Sequence, residues 1–400
     1  MFTTRLRFLT AGESHGPSLT GILEGMPAGI RLDEAAIARE LSRRQRGYGS
    51  GGRMKIESDH ARITSGVMSG KTTGGPIALL IENADFKNWR DRDIKPMTVP
   101  RPGHADLTGA AKYRHRELRL SLERASARET AMRVAIGAVC RALLSEFGIE
   151  LGGYVTRIGV VDCADQEPLV DADKLRARFA AAEANDIRCH DPSTYAAMRQ
   201  AIEDTITNKD TLGGVIETVA LGAPIGLGSH VHYDRRIDAR IAGALMSIHA
   251  AKGVEFGCGF ETTLRHGTKS QDELCIDEGR IVRETNRAGG VEGGITNGAP
   301  IIARTAIKPI ATTIASLRSV DLATGDPSAT NYERSDFCQT PRAVPIAEAM
   351  LAVVLADAMC EKLGGDSLDE MRPRYDALTK LRLEDLPMDA TPWRFGYQTD

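Results

Sequence analysis

Apolar residues recur at helical spacing in four stretches of the chain and crowd elsewhere into short runs bounded by glycine. The first helical stretch is LDEAAIARELSRRQRG, with Asp33 placed as N-cap and Gly47 just past the end. The second, SARETAMRVAIGAVCRALLSEFG, opens with Ser126 and Glu129 at capping-box spacing and lines Met132, Ala135, Ile136, Val139 and Leu143 along one face. DRRIDARIAGALMSIHAAKG predicts a third helix from near Asp234 to Gly253, and a fourth is predicted after Pro345, ending at Gly364-Gly365. The glycine-bounded runs RITSGVMSG, GPIALLIEN, GGVIETVALGAP, IVRETNRAGG and APIIARTAIKP predict strands joined in hairpins. Long helices spaced irregularly among such strands indicate an α+β fold rather than a regular βαβ alternation. No repeat and no Ser/Gly or Pro linker divides the chain. From about Ser367 a charged tail reads as an appended segment with one weak helix.

Composition narrows the function. A hydrophobic share of 42% supports a large core, and a net charge of −3 offers no bulk attraction to nucleic acid or an anionic membrane. Aromatics at 5% leave few platforms for stacking bases. The seven cysteines are scattered with no CxxC pair, so reduced thiols are expected and no metal site is indicated. FLTAG after Arg5 and Arg7 is too short for a signal-peptide core, and AVPIAEAMLAVVLADAMC carries Glu348 and Asp357, so a cytoplasmic protein without a membrane span is expected. Two glycine motifs mislead. GVMSGKTT has three residues where a phosphate-binding loop needs four, and a strand pattern follows it, so it predicts a hairpin turn. GGVEGG lacks the strand–helix setting of a dinucleotide fingerprint and is expected to be a flexible loop.

Candidate chemistry gathers at five places. GESHG (12–16) holds Ser14 and His15 between two glycines. RRQRGYGSGGRMKIE (43–57) mixes arginines with glycines, so guanidinium forks can grip carboxylate or phosphate close to the backbone; a solvated basic loop is the plain alternative. RPGHAD (101–106) places His104 in a Pro-Gly turn between Arg101 and Asp106, where an imidazole could exchange protons near neutral pH. LERASARET (122–130) sets Arg124 and Arg128 beside the free N–H groups that start a helix, a natural anion site. ERSDFCQTPRAV (333–344) puts Asp336 in a loop ahead of an apolar helix, either as an Asx turn or as a base.

GESHGPSLTGILEGMPAG, RPGHAD, RASARETAMRVA, RAGGVEGGITNG and RSD followed by AVPIAEAM, in this order from about Thr10 to Leu363, resemble the chorismate synthase family. The resemblance implies a β-α-β sandwich, with helices packed between antiparallel sheets, as a homotetramer. It divides the chain into a catalytic domain over 1–365 and a C-terminal extension over 366–400. The implied reaction is the 1,4-anti elimination of phosphate from 5-enolpyruvylshikimate 3-phosphate to chorismate, with reduced FMN required and no net redox change. NADPH is a potential reductant of that flavin. The resemblance further implies that His15 is the general acid for the departing phosphate. His104 would stabilise negative charge on the flavin, and Asp336 would take up a proton relayed through it. Ser14, Arg44, Arg53, Arg101, Arg128 and Arg334 would hold the substrate. Arg124, Ala125, Ser126, His249, Ala250, Gly293, Lys308, Pro309, Ile310, Ala311, Thr312 and again Arg334 would hold FMN.

Two positions depart from the family pattern. Ser50 stands where the family commonly has Arg, and His249 where asparagine is common. Arg46, four residues from Ser50 in a glycine-rich loop, is therefore expected to fold back and supply the missing cation to the substrate; the alternative is a solvated Arg46 with a water bridging Ser50 to the bound anion. An FMN-dependent oxidoreductase acting on a small polyanion would use the same groups but consume reductant stoichiometrically. An RNA-binding module built on residues 39–55 is disfavoured by the neutral charge and scarce aromatics.

Overall fold

The computed structural model describes residues 5–50, 59–164, 166–333, 335–386, 388–393 and 396. Arg53 and Arg334 lie outside them. The chain begins with β1 (Arg7–Ala11), β2 (Ser18–Glu24), α1 (Glu34–Gln45), β3 (Ala61–Ser65), a short hairpin β4–β5 (Val67–Met68, Lys71–Thr72) and β6 (Ile77–Glu82). Two short helices, α2 (Asp106–Tyr113) and α3 (Arg119–Ala125), lead into α4 (Thr130–Ser145). Then come β7 (Glu150–Ile158), β8 (Val161–Asp162), α5 (Ala172–Glu183), α6 (Pro192–Thr207), β9 (Gly214–Leu221), α7 (Ile237–Met246) and β10 (Ala251–Phe256). A single turn α8 (Gly267–Ser270) precedes the hairpins β11–β12 (Leu274–Asp277, Arg280–Arg283) and β13–β14 (Val291–Glu292, Ile295–Thr296). The chain closes with β15 (Ile301–Ile307), the hairpin β16–β17 (Arg318–Val320, Pro327–Ala329), α9 (Thr340–Leu363) and α10 (Leu368–Asp376).

The fold is mixed α+β with antiparallel sheets. One runs β1-β2-β6-β3 and the other β10-β15-β9-β7-β8. Helix α4 packs on β2 and β6, α9 packs on β7 and β9, and the two helices pack on each other. Both are buried on nearly every side, which explains why α9 is apolar all round rather than striped. It is long and apolar enough to cross a bilayer, yet lies wholly inside the core. Gly137 permits the closest approach: a Cβ there would stand 2.3 Å from that of Ala349.

Sequence expectation and structure part at several ends. Asp33 caps α1, accepting from Ala36 N–H at 2.6 Å, as expected. The capping box at the second helix does not form. Ser126 accepts from Arg128 N–H, but residues 127–129 make a tight 3₁₀ turn, and the Glu129 carboxylate turns to Thr10 and Arg133 instead. The third helix stops at Met246, not Gly253: Ala250 takes a left-handed φ of 67°, and the chain turns there into β10. The fourth begins at Thr340, so Pro345 lies within it. Proline has no N–H for the Pro341 carbonyl. Arg188 supplies that bond at 2.8 Å and also grips the carbonyls of Arg43 and Arg46, tying the end of α1 to the start of α9. GVMSGKTT is the expected hairpin, β4–β5, whereas GGVEGG is no flexible loop but the tight hairpin β13–β14, turning on Gly293 and Gly294 at φ 57° and 82°. The start of the tail is not loosely appended: Leu368 and Met371 of α10 are buried in the main core.

Candidate active site

A cavity of about 600 Å³ opens where the β1–β2 loop, the 84–106 segment, the α3–α4 junction, the 308–312 segment and the approach to α9 converge. His15, His104 and Asp336 all line it, as do Ser14, Arg44, Arg101 and Arg128. Ala125, Ser126, His249, Ala250, Lys308, Ile310, Ala311 and Thr312 join them. These residues, up to 322 positions apart in sequence, share one chamber.

His15 is set by its loop. Gly12 takes φ +108°, and a Cβ there would meet the Ser18 carbonyl at 2.3 Å; at Gly16 it would press on Glu13. Gly12 is thus needed for the loop to close on itself, whereas at Gly16 only the Glu13 side chain would have to give way. The Glu123 side chain on α3 meets His15 twice, at the backbone N–H (2.8 Å) and at Nδ1 (2.8 Å). The Trp89 ring lies 3.9 Å from the imidazole, centroid to centroid. Ser126 donates its hydroxyl to Ser14 Oγ at 3.0 Å, joining the loop to the base of α4.

His104 and Arg101 share one carboxylate. Asp106 Oδ1 is 2.6 Å from His104 Nδ1, and both Asp106 oxygens accept from the Arg101 guanidinium, whose remaining nitrogen donates to Thr312. Burial alone would raise the Asp106 carboxyl, but hydrogen bonds from His104 and Arg101 and the Arg101 charge hold it well below its ordinary value. Arg101 therefore has its fork engaged by protein partners.

Arg128 is likewise engaged, by Asn83 and by Asp59 at 2.5 Å. Arg44 differs. It donates to Thr130 and to the Ala127 carbonyl, but its Nη1 is buried without a hydrogen-bond partner among the described residues, 3.6 Å from Asp59. Burial first, then the neighbouring charges of Arg342 and Arg128, pull Arg44 down to about 9, with Asp59 only partly opposing them. An anion entering beside Arg44 would relieve that deficit. Asp336 is ion-paired with Arg342 across the same wall.

Other candidates fall elsewhere. Arg46 points outward, its side chain 62% exposed and 3.8 Å from Glu183; it does not supply a cation to the cavity. Ser50, Pro309 and Gly293 do not line the cavity either, Gly293 being part of the β13–β14 turn. Arg124 binds the carbonyls of Thr10 and Gly12 and faces a smaller neighbouring cavity of about 380 Å³, which shares His249 with the main one. The His249 imidazole is held toward its neutral form by burial, and its Nδ1 lacks a hydrogen-bond partner among the described residues. Sequence reasoning missed Arg342, Glu123, Trp89 and Asp85. Only Glu123 left a trace, as the lone acid among the arginines of RLSLERAS.

Residues 6–360 match the family model described as chorismate synthase. A chorismate synthase of Aquifex aeolicus (strain VF5) is 51% identical over 384 residues, covering 93% of this chain and 96% of the relative. One from Geobacillus kaustophilus (strain HTA426) is 49% identical over 383 residues, covering 93% and 98%. A crystal structure of chorismate synthase superposes with a TM-score of 0.78 at 45% identity, covering 94% of this chain and 97% of that one.

Proposed function

The chain belongs to the chorismate synthase family, and from that premise we propose how its own residues divide the work. The reaction is a carbon–oxygen lyase step that removes phosphate from 5-enolpyruvylshikimate 3-phosphate to give chorismate, supplying aromatic biosynthesis, and the family requires a reduced flavin. We assign that flavin as FMN, with NADPH as the reductant to be tested. The residues present fit such a group: small apolar faces at Ala125, Ala250, Ile310 and Ala311 suit a flat ring, while Lys308, Thr312 and the unpartnered His249 Nδ1 offer polar contacts at its edge. When bound, reduced flavin supplies electron density that assists departure of the phosphate.

The protein's part is binding, orientation and proton transfer. Arg44 holds an anionic group of the substrate, with Arg128, already bonded to Asp59 and Asn83, adding its charge beside it, together with Arg53 and Arg334 by their motif positions. His15 gives its proton to the departing phosphate oxygen. Asp336, ion-paired with Arg342, takes up the proton that the ring loses. His104, steadied by Asp106 and Arg101, presents a positive edge to the flavin. The observation that carries this reading is the placement of His15, His104 and Asp336 around one cavity beside the underfilled Arg44.

His15→Ala and Asp336→Ala are each expected to keep FMN and substrate binding while turnover falls about a hundredfold or more, the scale of a lost proton-transfer group. Anaerobic assays with reduced FMN measure this, and a kcat within a few-fold of wild type would refute the assignment. Two antiparallel sheets enclosing helices fit the sandwich architecture, with residues 1–365 as the catalytic domain and 366–400 as an extension. Assembly as a cytoplasmic homotetramer is part of the same reading; exposed Leu9, Ile22, Phe260 and Leu264 offer apolar contact surface, and light scattering that returns a monomer at micromolar concentration would contradict it.

A further inference from the structure

The contacts around GESHG point beyond His15 itself. Glu123 engages the loop three times: its own backbone carbonyl accepts from Ser14 N–H at 3.1 Å, its Oε2 accepts from His15 N–H at 2.8 Å, and its Oε1 lies 2.8 Å from His15 Nδ1. Structural anchoring would need only the backbone contacts. The carboxylate also fixes which ring nitrogen carries a permanent proton, turning Nδ1 away from the reacting end and leaving Nε2 as the nitrogen on the opposite edge. We propose that Glu123 is a positioning residue for the elimination, holding the His15 ring with Nδ1–H toward its carboxylate and favouring the imidazolium that donates to the leaving phosphate. This rests on the reading of His15 as the acid.

The charges around the ring set the expected sign. Glu123 is the nearest, with Arg119 3.8 Å from it on the same helix and Glu333 3.6 Å from Arg119 on the far wall. From the 84–92 segment, Trp89 covers the ring, Asp85 accepts from the Trp89 indole N–H, and the Arg92 guanidinium lies 5.6 Å from the Trp89 ring. Arg44 and Arg128 line the same cavity. The cations thus surround the ring, and the Glu123 carboxylate is in direct contact with it. Burial would raise its own carboxyl, yet the bonds from His15 hold it below its ordinary range, so it is ionised at working pH.

Glu123→Gln keeps the shape and the acceptor for His15 N–H but removes the charge. An opposite charge in contact shifts a pKa by about one unit or more. The activity lost as pH rises through His15 should therefore be lost about one pH unit earlier in the variant. Above that limb kcat falls about tenfold against wild type, and on the acid side it stays within about threefold. Glu123→Asp, which keeps the charge at shorter reach, should restore most of the limb. The His15 ring is titrated in parallel by NMR in the full chain without substrate, where its midpoint should fall with the charge. An unmoved midpoint in Glu123→Gln overturns the coupling. A midpoint that falls while the kcat limb stays put overturns His15 as the acid and with it this role for Glu123. A uniform loss of kcat at all pH values, with the midpoint unmoved, would leave Glu123 a purely structural anchor and also overturn the proposal.

Discussion

Replacing Asp106 with Asn tests the electrostatic design of the site most directly. The carboxylate is fully buried and accepts from Arg101 N–H, Nε and Nη2 while facing His104 Nδ1. The amide preserves one acceptor oxygen, enough for the Arg101 backbone and Nε. Its NH₂ then stands where Oδ1 was, against Arg101 Nη2–H, where two donors oppose each other. The Arg101 guanidinium, 7% exposed, is left without its counter-charge. Breaking a buried ion pair by removing one partner costs about 3–5 kcal/mol, and the surviving acceptor argues for about 3 kcal/mol. With unfolding entropy scaling at about 2.1 cal/mol/K per residue, this lowers the melting temperature by about 3–4 °C for a chain of this size. The pH dependence follows from the depressed Asp106 carboxyl. A depressed acid contributes stability that is present above the unfolded value, about 3.9, and is lost as pH falls toward the folded one. The gap between wild type and Asp106→Asn should thus be full at pH 7 and smaller at pH 4. His104 also loses the carboxylate that holds its ring, so the reduced flavin should bind about tenfold more weakly, the equivalent of 1.4 kcal/mol. Thermal melts at both pH values and a flavin titration provide the readout. A gap of equal size at pH 7 and pH 4, or melting within 1 °C of wild type at pH 7, would refute the reasoning.

Arg46→Ala should leave the substrate KM within about twofold, because its guanidinium faces solvent and Glu183 and an exposed pair contributes at most about 1 kcal/mol; steady-state kinetics showing a tenfold rise would place Arg46 in the site after all. Gly137→Ala should destabilise the protein by about 1–3 kcal/mol, since the added methyl meets the Ala349 Cβ and backbone on α9 and forces the central helices apart; an unchanged melting temperature would show that the helix pair can shift without cost.

How far the sequence carried depended on whether the deciding force was local. Asp33, with its side chain three residues from the N–H it caps, was legible, and so was the two-residue turn at Ser69-Gly70. The start of α9 was not. Pro345 reads as a helix boundary because the bond it forfeits is visible locally, whereas the Arg188 guanidinium that makes good the loss comes from 153 residues away. The end of α7 was misread for the opposite reason: AAKG has helical propensity, but the β10–β15 ladder, which pairs Ala251 with Ile307, claims it for the sheet. Motif position singled out His15, His104, Asp336 and Arg44, and all four line one cavity. It did not reveal that Arg101 and Arg128 spend their forks on Asp106, Asp59 and Asn83, because those partners are fixed by tertiary packing.

The same distinction explains why a chain of net charge −3 can host a polyanion site. Its buried and half-buried arginines fall into two kinds. Arg43 and Arg141 converge on Glu348, and Arg240 pairs with Asp357 and Glu361, so each group is matched by carboxylates and serves the core. At the cavity the matching fails. Among the described residues its lining holds Arg44, Arg92, Arg101, Arg128, Lys308 and Arg342 against the acids Asp85, Glu333 and Asp336, six cations to three anions. Asp59 and Asp106 behind the wall reduce the imbalance without removing it, and Arg44 is where the remainder is concentrated. Because the excess lies inside a chamber rather than along a surface, it selects a small, multiply charged ligand that can enter. An extended nucleic-acid backbone needs its phosphates met along an open face, which this arrangement does not offer.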